Sequence, residues 1–210
     1  FFDITQLRQL EHMRRDFVAN VSHELRTPLT AIKGYAETLN DEHAFIDPAD
    51  SSRFISIITT HADRLNRLLD DLLDMARVES DQFVVELGRH KLGKILQVCI
   101  ESVDSSAKEK SIEIVNEVSE TVEILCDSKL IEQALINLLD NAVKYTTEGG
   151  KVFVKLRREN SLVWVDIKDT GIGIPSTDLD RIFERFYRVD KGRSREMGGT
   201  GLGLAIVRHI

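Results

Sequence analysis

Two long stripes of apolar residues at helical spacing fill the first eighty positions, and they constrain the fold more than any other feature. From about Thr5 to Asn40, Val18, Val21, Leu25, Leu29, Ile32, Ala36 and Leu39 recur at three- and four-residue steps. The stretch Asp41 to Asp50 holds Asp47-Pro48 and breaks the pattern, so it reads as a hairpin loop with Asp50 or Ser51 as the next helix cap. A second helix is expected from about Ser52 to Glu79, with Phe54, Ile57, Ile58, His61, Leu65, Leu68, Leu69, Leu72, Met75 and Ala76 on its stripe. One hairpin of this kind cannot bury both stripes, whereas two hairpins can, as a four-helix bundle with heptad-like packing. The pattern therefore predicts a homodimer. The competing arrangement packs the hairpin against a second domain of its own chain.

A second domain is expected from about residue 81, where the texture becomes α/β. Leu92 to Ala107 reads as a helix, and Ile112 to Val115 and Val122 to Cys126 as strands. Asp127 is placed to cap a helix from Ser128 to Tyr145. Val152, Val154 and Leu156 alternate with Lys151, Lys155 and Arg157, and Val163, Val165 and Ile167 alternate in the next run, which predicts two half-buried strands joined by a turn over Arg158-Glu-Asn160. After Asp169 comes a long glycine-containing segment with a short helix expected near Asp178 to Phe186. A loop of this length in a compact domain marks a functional lid or disorder. Asp190 to Met197 is its most polar part.

The formal charge of the 210 residues is −7, with acidic and basic residues interspersed, which argues against a nucleic-acid binder. No apolar run is long enough to span a bilayer, and no signal peptide opens the chain. Cys99 and Cys126 lie far apart in apolar patterns without metal-ligand spacing, and read as buried free thiols.

Chemistry is concentrated in five short motifs. His23 stands in Ser-His-Glu-Leu-Arg-Thr-Pro, on the first helix. Neutral imidazole offers a nitrogen lone pair near pH 7 and can attack a phosphoryl group without a strong base. Glu24 is the nearest acceptor for the proton on the second ring nitrogen, and Thr27 lies one turn on, on the same face. Pro28 removes an amide donor and crowds the carbonyl of Glu24, so a bend is expected beside His23. The bland alternative is a polar histidine on a bundle surface. Asn137 and Asn141 are a turn apart in an otherwise apolar helix, with Lys144 and Tyr145 following. Asparagine is a poor helix former, so two at this spacing ask for a reason, either magnesium and phosphate ligation or a buried polar network. Asp169 meets Gly171 and Gly173, where a bare backbone allows close approach to a ligand and the carboxylate can accept an adenine amino group. Phe183-Glu-Arg-Phe186 precedes Gly199, Gly201 and Gly203, which open the last helix as a phosphate cradle. A Walker loop and a protein-kinase catalytic loop are both absent.

In this order the motifs resemble those of sensor histidine kinases, and the second domain resembles the ATP fold shared by these kinases, gyrase, the mismatch-repair ATPase and the heat-shock chaperone. The resemblance implies a multi-domain chain: a helical hairpin forming a dimeric four-helix bundle over residues 11–80, then an α/β sandwich that binds ATP over residues 81–210. Residues 1–10 resemble the tail of a PAS-like sensor or a signalling linker, and the far end looks truncated. The expectation is the cytoplasmic portion of a longer bacterial receptor, anchored in the inner or plasma membrane. Glu24 would be general base and Thr27 would position water in the reverse, phosphatase direction. Asn141 would hold Mg2+, with Asn137 as a further contact to metal or phosphates, Lys144 on phosphate, Tyr145 against adenine, and Arg188 rather than Arg185 steadying phosphate charge. A response regulator receiver domain would be the partner. Glu79 to Gln82 is the expected hinge, and Thr5 to Leu39 resembles the phosphate-responsive branch. Two alternatives remain at this level: a phosphatase-dominant member, and a scaffold switched by ATP without histidine phosphorylation.

Overall fold

The computed structural model describes residues 5–41, 47–80, 83–118, 122–190, 192 and 198–210, with side chains from residue 15 onward. The expected sensor-tail residues 1–4, hinge residues 81–82 and most of the polar segment 190–197 lie outside these. The chain forms two compact units, one comprising the hairpin to Asp74 with Gly198–Thr200, the other running from Met75 to Met197 and from Gly201 to Ile210.

The first unit is built on α1 (Thr5–Leu39) and α2 (Pro48–Val78). Helix α2 starts before the expected cap. Asp47 is the capping residue, since its side chain accepts from Ala49 N at 3.0 Å and its carbonyl from Ser51 N at 2.9 Å. Pro48 then occupies the first helical position, where its missing N–H costs nothing. Two cross-contacts fix the hairpin. The rings of Tyr35 and Phe54 lie 5.2 Å apart, and Arg64 of α2 bonds Glu24 of α1 at 2.9 Å. Leu68 and Pro28 are buried, whereas Val18, Leu29, Ile55, Leu69 and Leu73 remain exposed.

In the second unit, β1 (Gly88–Lys91) leads directly into α3 (Leu92–Glu109), followed by β2 (Glu113–Val118), β3 (Glu123–Cys126), α4 (Ser128–Tyr145), β4 (Lys151–Glu159), β5 (Leu162–Asp169) and α5 (Gly203–His209). Strands β2, β4 and β5 form a sheet in that order, β2 parallel to β4 and β4 antiparallel to β5, while β1 and β3 pair as a separate antiparallel ribbon. Alternation decides which face is covered. Val152, Val154 and Leu156 of β4 turn inward to Leu96, Cys99 and Val103 of α3 and Leu135, Leu139 and Val143 of α4. Fully burying a side chain of this size stabilises by about 1.5–3 kcal/mol, so this layer is the fold's main support.

Polar groups tie the ends of α4. The Asp127 Oδ1 accepts from Lys129 N at 3.0 Å and Leu130 N at 3.3 Å, and its Oδ2 accepts from Glu86 N at 3.0 Å. One carboxylate thus caps the helix and pins the strand-free segment before β1. At the other end the Lys110 ammonium donates to the carbonyls of Val143 and Lys144 at 3.0 and 2.7 Å, satisfying orphaned acceptors of the last turn. The segment expected as a short helix near Asp178 to Phe186 is a chain of hydrogen-bonded turns.

Candidate functional site

The motif expected to carry the phosphoacceptor, around His23, lies on α1. His23 is exposed, and the buried Pro28 sits five residues on. With no amide hydrogen, Pro28 leaves the Glu24 carbonyl without its helical donor. The Thr27 hydroxyl donates to the His23 carbonyl at 3.2 Å. Glu24 turns into the hairpin, where its carboxylate accepts from the Arg64 guanidinium; the two side chains are only 13% and 10% exposed. His61, one turn before Arg64 on α2, has a buried Nδ1 without a hydrogen-bond partner among the described residues.

In the second unit α4, the end of β5 and the segment after it enclose a cavity of about 340 Å3. Asn141, Tyr145, Asp169, Gly173 and Arg188 line it, together with Leu138, Ile167, Ile172, Ile182, Phe183 and Leu204. A mostly apolar wall with a few convergent polar groups is the usual make-up of a cofactor-sized site. Asn141 and Tyr145 face it because they are four residues apart on one side of α4. Asp169 reaches it from the last residue of β5, and its Oδ1 accepts from Gly171 N at 2.8 Å. Gly171 is enforced by proximity: a Cβ there would land on the Tyr145 carbonyl and within 2.7 Å of Asp169 Oδ1. Gly173 is enforced by conformation, with φ +69° and open space around the missing Cβ.

The other expected residues are distributed around this cavity. Asn137, one turn before Asn141, lies beside Gly203 at the start of α5, and its Nδ2 is buried with no hydrogen-bond partner among the described residues. Lys144 faces a neighbouring depression with Lys110, Tyr145, Thr146 and Ile172 rather than the main cavity. Gly201 packs on Phe186, whose amide donates to the Gly201 carbonyl at 2.7 Å. Phe186 itself has φ +62°, a rare conformation for a bulky residue. Gly199 is buried and groups with the first unit. Arg188 is buried at the cavity, whereas Arg185 donates to the Glu79 carboxylate, which also meets His209 Nε2 at 3.2 Å. Tyr187, also in the wall, bonds the Asp178 carboxylate and lies under the Arg181 guanidinium, 4.3 Å from its ring centre. The bond to Asp178 pushes the Tyr187 hydroxyl above its ordinary pKa.

Sequence reasoning did not single out the apolar wall or Arg64. The isoleucines after Asp169 carry no periodicity that would mark them. Arg64 did leave a signal, because it falls between His61 and Leu68 on the inward stripe of α2, where a charge needs a partner. Among the described residues no helix is long and apolar enough to cross a membrane, and no cluster of three or more His, Cys, Asp or Glu side chains could hold a metal.

Comparison with known proteins matches two stretches of the chain to family models. Residues 13–81 match the His Kinase A (phospho-acceptor) domain, and residues 126–210 match the histidine kinase-, DNA gyrase B- and HSP90-like ATPase family. The chain is 38% identical to the sensor histidine kinase WalK of Bacillus subtilis over 214 residues, covering all of this chain and 34% of WalK. It is also 38% identical to the phosphate regulon sensor protein PhoR of Pseudomonas aeruginosa, covering 99% of this chain and 47% of PhoR. It thus spans between a third and a half of these curated relatives. Among solved structures, the histidine kinase ThkA in complex with the response regulator TrrA superposes with a TM-score of 0.72 at 25% identity, over 89% of this chain and 54% of ThkA. Full-length ShkA in complex with AMPPNP gives 0.65 at 33% identity, over 92% of this chain and 40% of ShkA. With a phosphoacceptor hairpin, an ATPase-type α/β unit and relatives of this kind along its whole length, the chain belongs to the sensor histidine kinases.

Proposed function

We propose that this chain is the catalytic core of a receptor that phosphorylates His23 from ATP with Mg2+ and passes the phosphoryl group to an aspartate of a response regulator. The observation that carries this reading is the convergence of Asn141, Tyr145, Asp169, Gly173 and Arg188 on one cavity. Tyr145 and the isoleucine wall offer an adenine ring a flat apolar slot, with Asp169 to accept its amino group. The buried Asn137 amide and Arg188 offer donors to the phosphates. The Asn141 carboxamide oxygen suits a hard cation that keeps most of its shell from water and phosphate. Mg2+ bound there would neutralise charge on the phosphates during transfer.

The exposed ring of His23 is the nucleophile. One nitrogen attacks the γ-phosphorus, the bond to the β,γ-bridging oxygen breaks, and ADP leaves with that electron pair. The proton on the other nitrogen passes to Glu24. Positioning and charge neutralisation supply most of the acceleration in such transfers. In the reverse reaction Thr27 would orient water toward a phosphoryl group on the regulator. The exposed Val18, Leu29, Ile55, Leu69 and Leu73 of the hairpin support a homodimer, in which a second hairpin would cover them. Kinship with WalK and PhoR supports the cytoplasmic portion of a membrane-anchored bacterial receptor.

The test is γ-labelled ATP with the parent chain, His23→Gln and Asn141→Asp. Acid-labile, base-stable label on the parent and on neither variant is the expected result. Nucleotide binding without label would favour a phosphatase-dominant protein or an ATP-switched scaffold. Label that survives His23→Gln would refute the assignment.

A further inference from the structure

Arg64 and Glu24 form an enclosed ion pair, with side chains 10% and 13% exposed. Removing two charges from water costs more than a simple contact returns, unless the geometry is good and both stay paired. Such a pair is a poor way to hold a hairpin together, and the contact of Tyr35 with Phe54 farther along the same two helices does that without charge. One partner, however, is the acid next to the phosphoacceptor. A long glutamate on a helix surface is free among many rotamers, while one held by a guanidinium from the facing helix has a fixed direction and keeps its charge. Arg64 comes from α2, forty residues away in sequence, and lies within the stripe that otherwise packs apolar side chains.

We propose that Arg64 is a positioning residue for phosphorylation of His23: its guanidinium fixes the Glu24 carboxylate, in anionic form, where it accepts the proton released from the imidazole. The inference rests on the reading of His23 as phosphoacceptor and Glu24 as base. In this role Arg64 acts through Glu24 and not on the reacting atoms. A carboxylate has lone pairs for more than one donor, so Glu24 can accept from the ring nitrogen while it stays paired with Arg64. The balance of the step is unchanged: the N–P bond forms, the bridging P–O bond breaks, ADP takes the electron pair, and Glu24 takes the proton. In the absence of the guanidinium the enclosed carboxylate either protonates or swings out to water, and both remove the base.

The experiment measures autophosphorylation rate against ATP concentration for the parent, Arg64→Gln, Arg64→Lys, Glu24→Gln and the double variant Glu24→Gln/Arg64→Gln. Loss of a residue that orients a metal ligand typically costs about 10- to 100-fold, and by analogy a fall of that size is expected in kcat for Arg64→Gln, with KM for ATP unchanged. Arg64→Lys recovers most of the loss by restoring the charge. The double variant is no slower than Glu24→Gln alone, because Arg64 acts through Glu24. It also removes both charges together, so the comparison survives if a stranded carboxylate unfolds Arg64→Gln. Parent-like kcat in Arg64→Gln would overturn the proposal, as would a double variant slower than Glu24→Gln by the full Arg64 factor. Label on the parent that persists in His23→Gln would instead refute the underlying reading, and the proposal with it.

Discussion

The two glycines after Asp169 should fail for different reasons, and that difference can be measured. In Gly171→Ala the new methyl meets the Tyr145 carbonyl carbon at 2.8 Å and Asp169 Oδ1 at 2.7 Å. The first obstacle is backbone at the end of α4, whose oxygen also accepts from Ile172 N at 3.2 Å, so it cannot rotate away like a side chain tip. Overpacking costs about 1–3 kcal/mol, and a backbone obstacle argues for the upper part, about 2–3 kcal/mol. Tyr145 and Asp169 both line the cavity, so if the chain yields there, ATP affinity falls by about 30- to 140-fold. If it does not yield, the cost appears as lost stability of the second unit, about 3–5 °C in Tm per kcal/mol. Gly173→Ala meets nothing within 4 Å but must adopt φ +69°, at a cost of about 1–2 kcal/mol. Asparagine tolerates that conformation, so Gly173→Asn should recover most of the loss, while Gly171→Asn should bind worse than Gly171→Ala. Nucleotide titration by calorimetry, with Tm alongside, decides the matter. A Gly171→Ala variant within about twofold of parental affinity and about 1 °C of parental Tm would refute the clash argument.

Two further predictions concern titrating groups. The Glu86 amide, followed by the Leu130 and Lys129 amides, holds the Asp127 carboxyl below its ordinary 3.8. A lowered native pKa gives stability that is complete above the unfolded value and is lost as pH falls through the native one. Asp127→Asn should therefore lower Tm at neutral pH, and its deficit should shrink as pH drops below 3.8; a deficit independent of pH would contradict the capping role. Burial, aided by the charge of Glu132, pushes the Cys99 thiol up to about 11, and burial also raises Cys126. Only the thiolate attacks disulfide reagents, and at pH 8 a thiol with that value is about 0.1% ionised. Both cysteines should stay silent to a chromogenic disulfide in the native chain and react in guanidinium; native reaction of Cys99 at the rate of a free thiol would show that it is not buried.

The readable parts of this chain were those where one physical signal repeats. The stripes of α1 and α2 persist over many turns, Asp127 stands immediately before the apolar helix that it caps, and β4 alternates Val152, Val154 and Leu156 with charged neighbours. Where the signal is short, tertiary structure decides. The Gly88–Lys91 strand has no apolar alternation at all, and it is a strand because Cys126 to Glu123 pair with it in register. The start of α2 was misplaced by a few residues because Asp47, Asp50 and Ser51 can all cap, and the choice went to the one followed by proline. Near Asp178 to Phe186 a run of hydrogen-bonded turns replaces the expected helix, and Phe186 leaves it with left-handed φ. For the site, residue types that bear chemistry were visible, but their grouping was not. No spacing rule separates Lys144, which faces the side depression, from Tyr145, which faces the cavity. Nor does one pair Arg64 with an acid forty positions earlier.

The sheet order has a kinetic meaning. Strands β2 and β4 are hydrogen-bonded neighbours, yet β3 and all of α4 lie between them in the chain. Closing that connection costs loop entropy before any pairing repays it. Asn141 travels on the intervening helix, and Asp169 on the strand that pairs last in sequence, so the cavity exists only after the crossover has closed. A nucleotide that binds only there stabilises the finished sheet by mass action and gives nothing to earlier, half-assembled species. Cellular ATP would then favour the completed second unit over its folding intermediates, independently of any phosphoryl transfer.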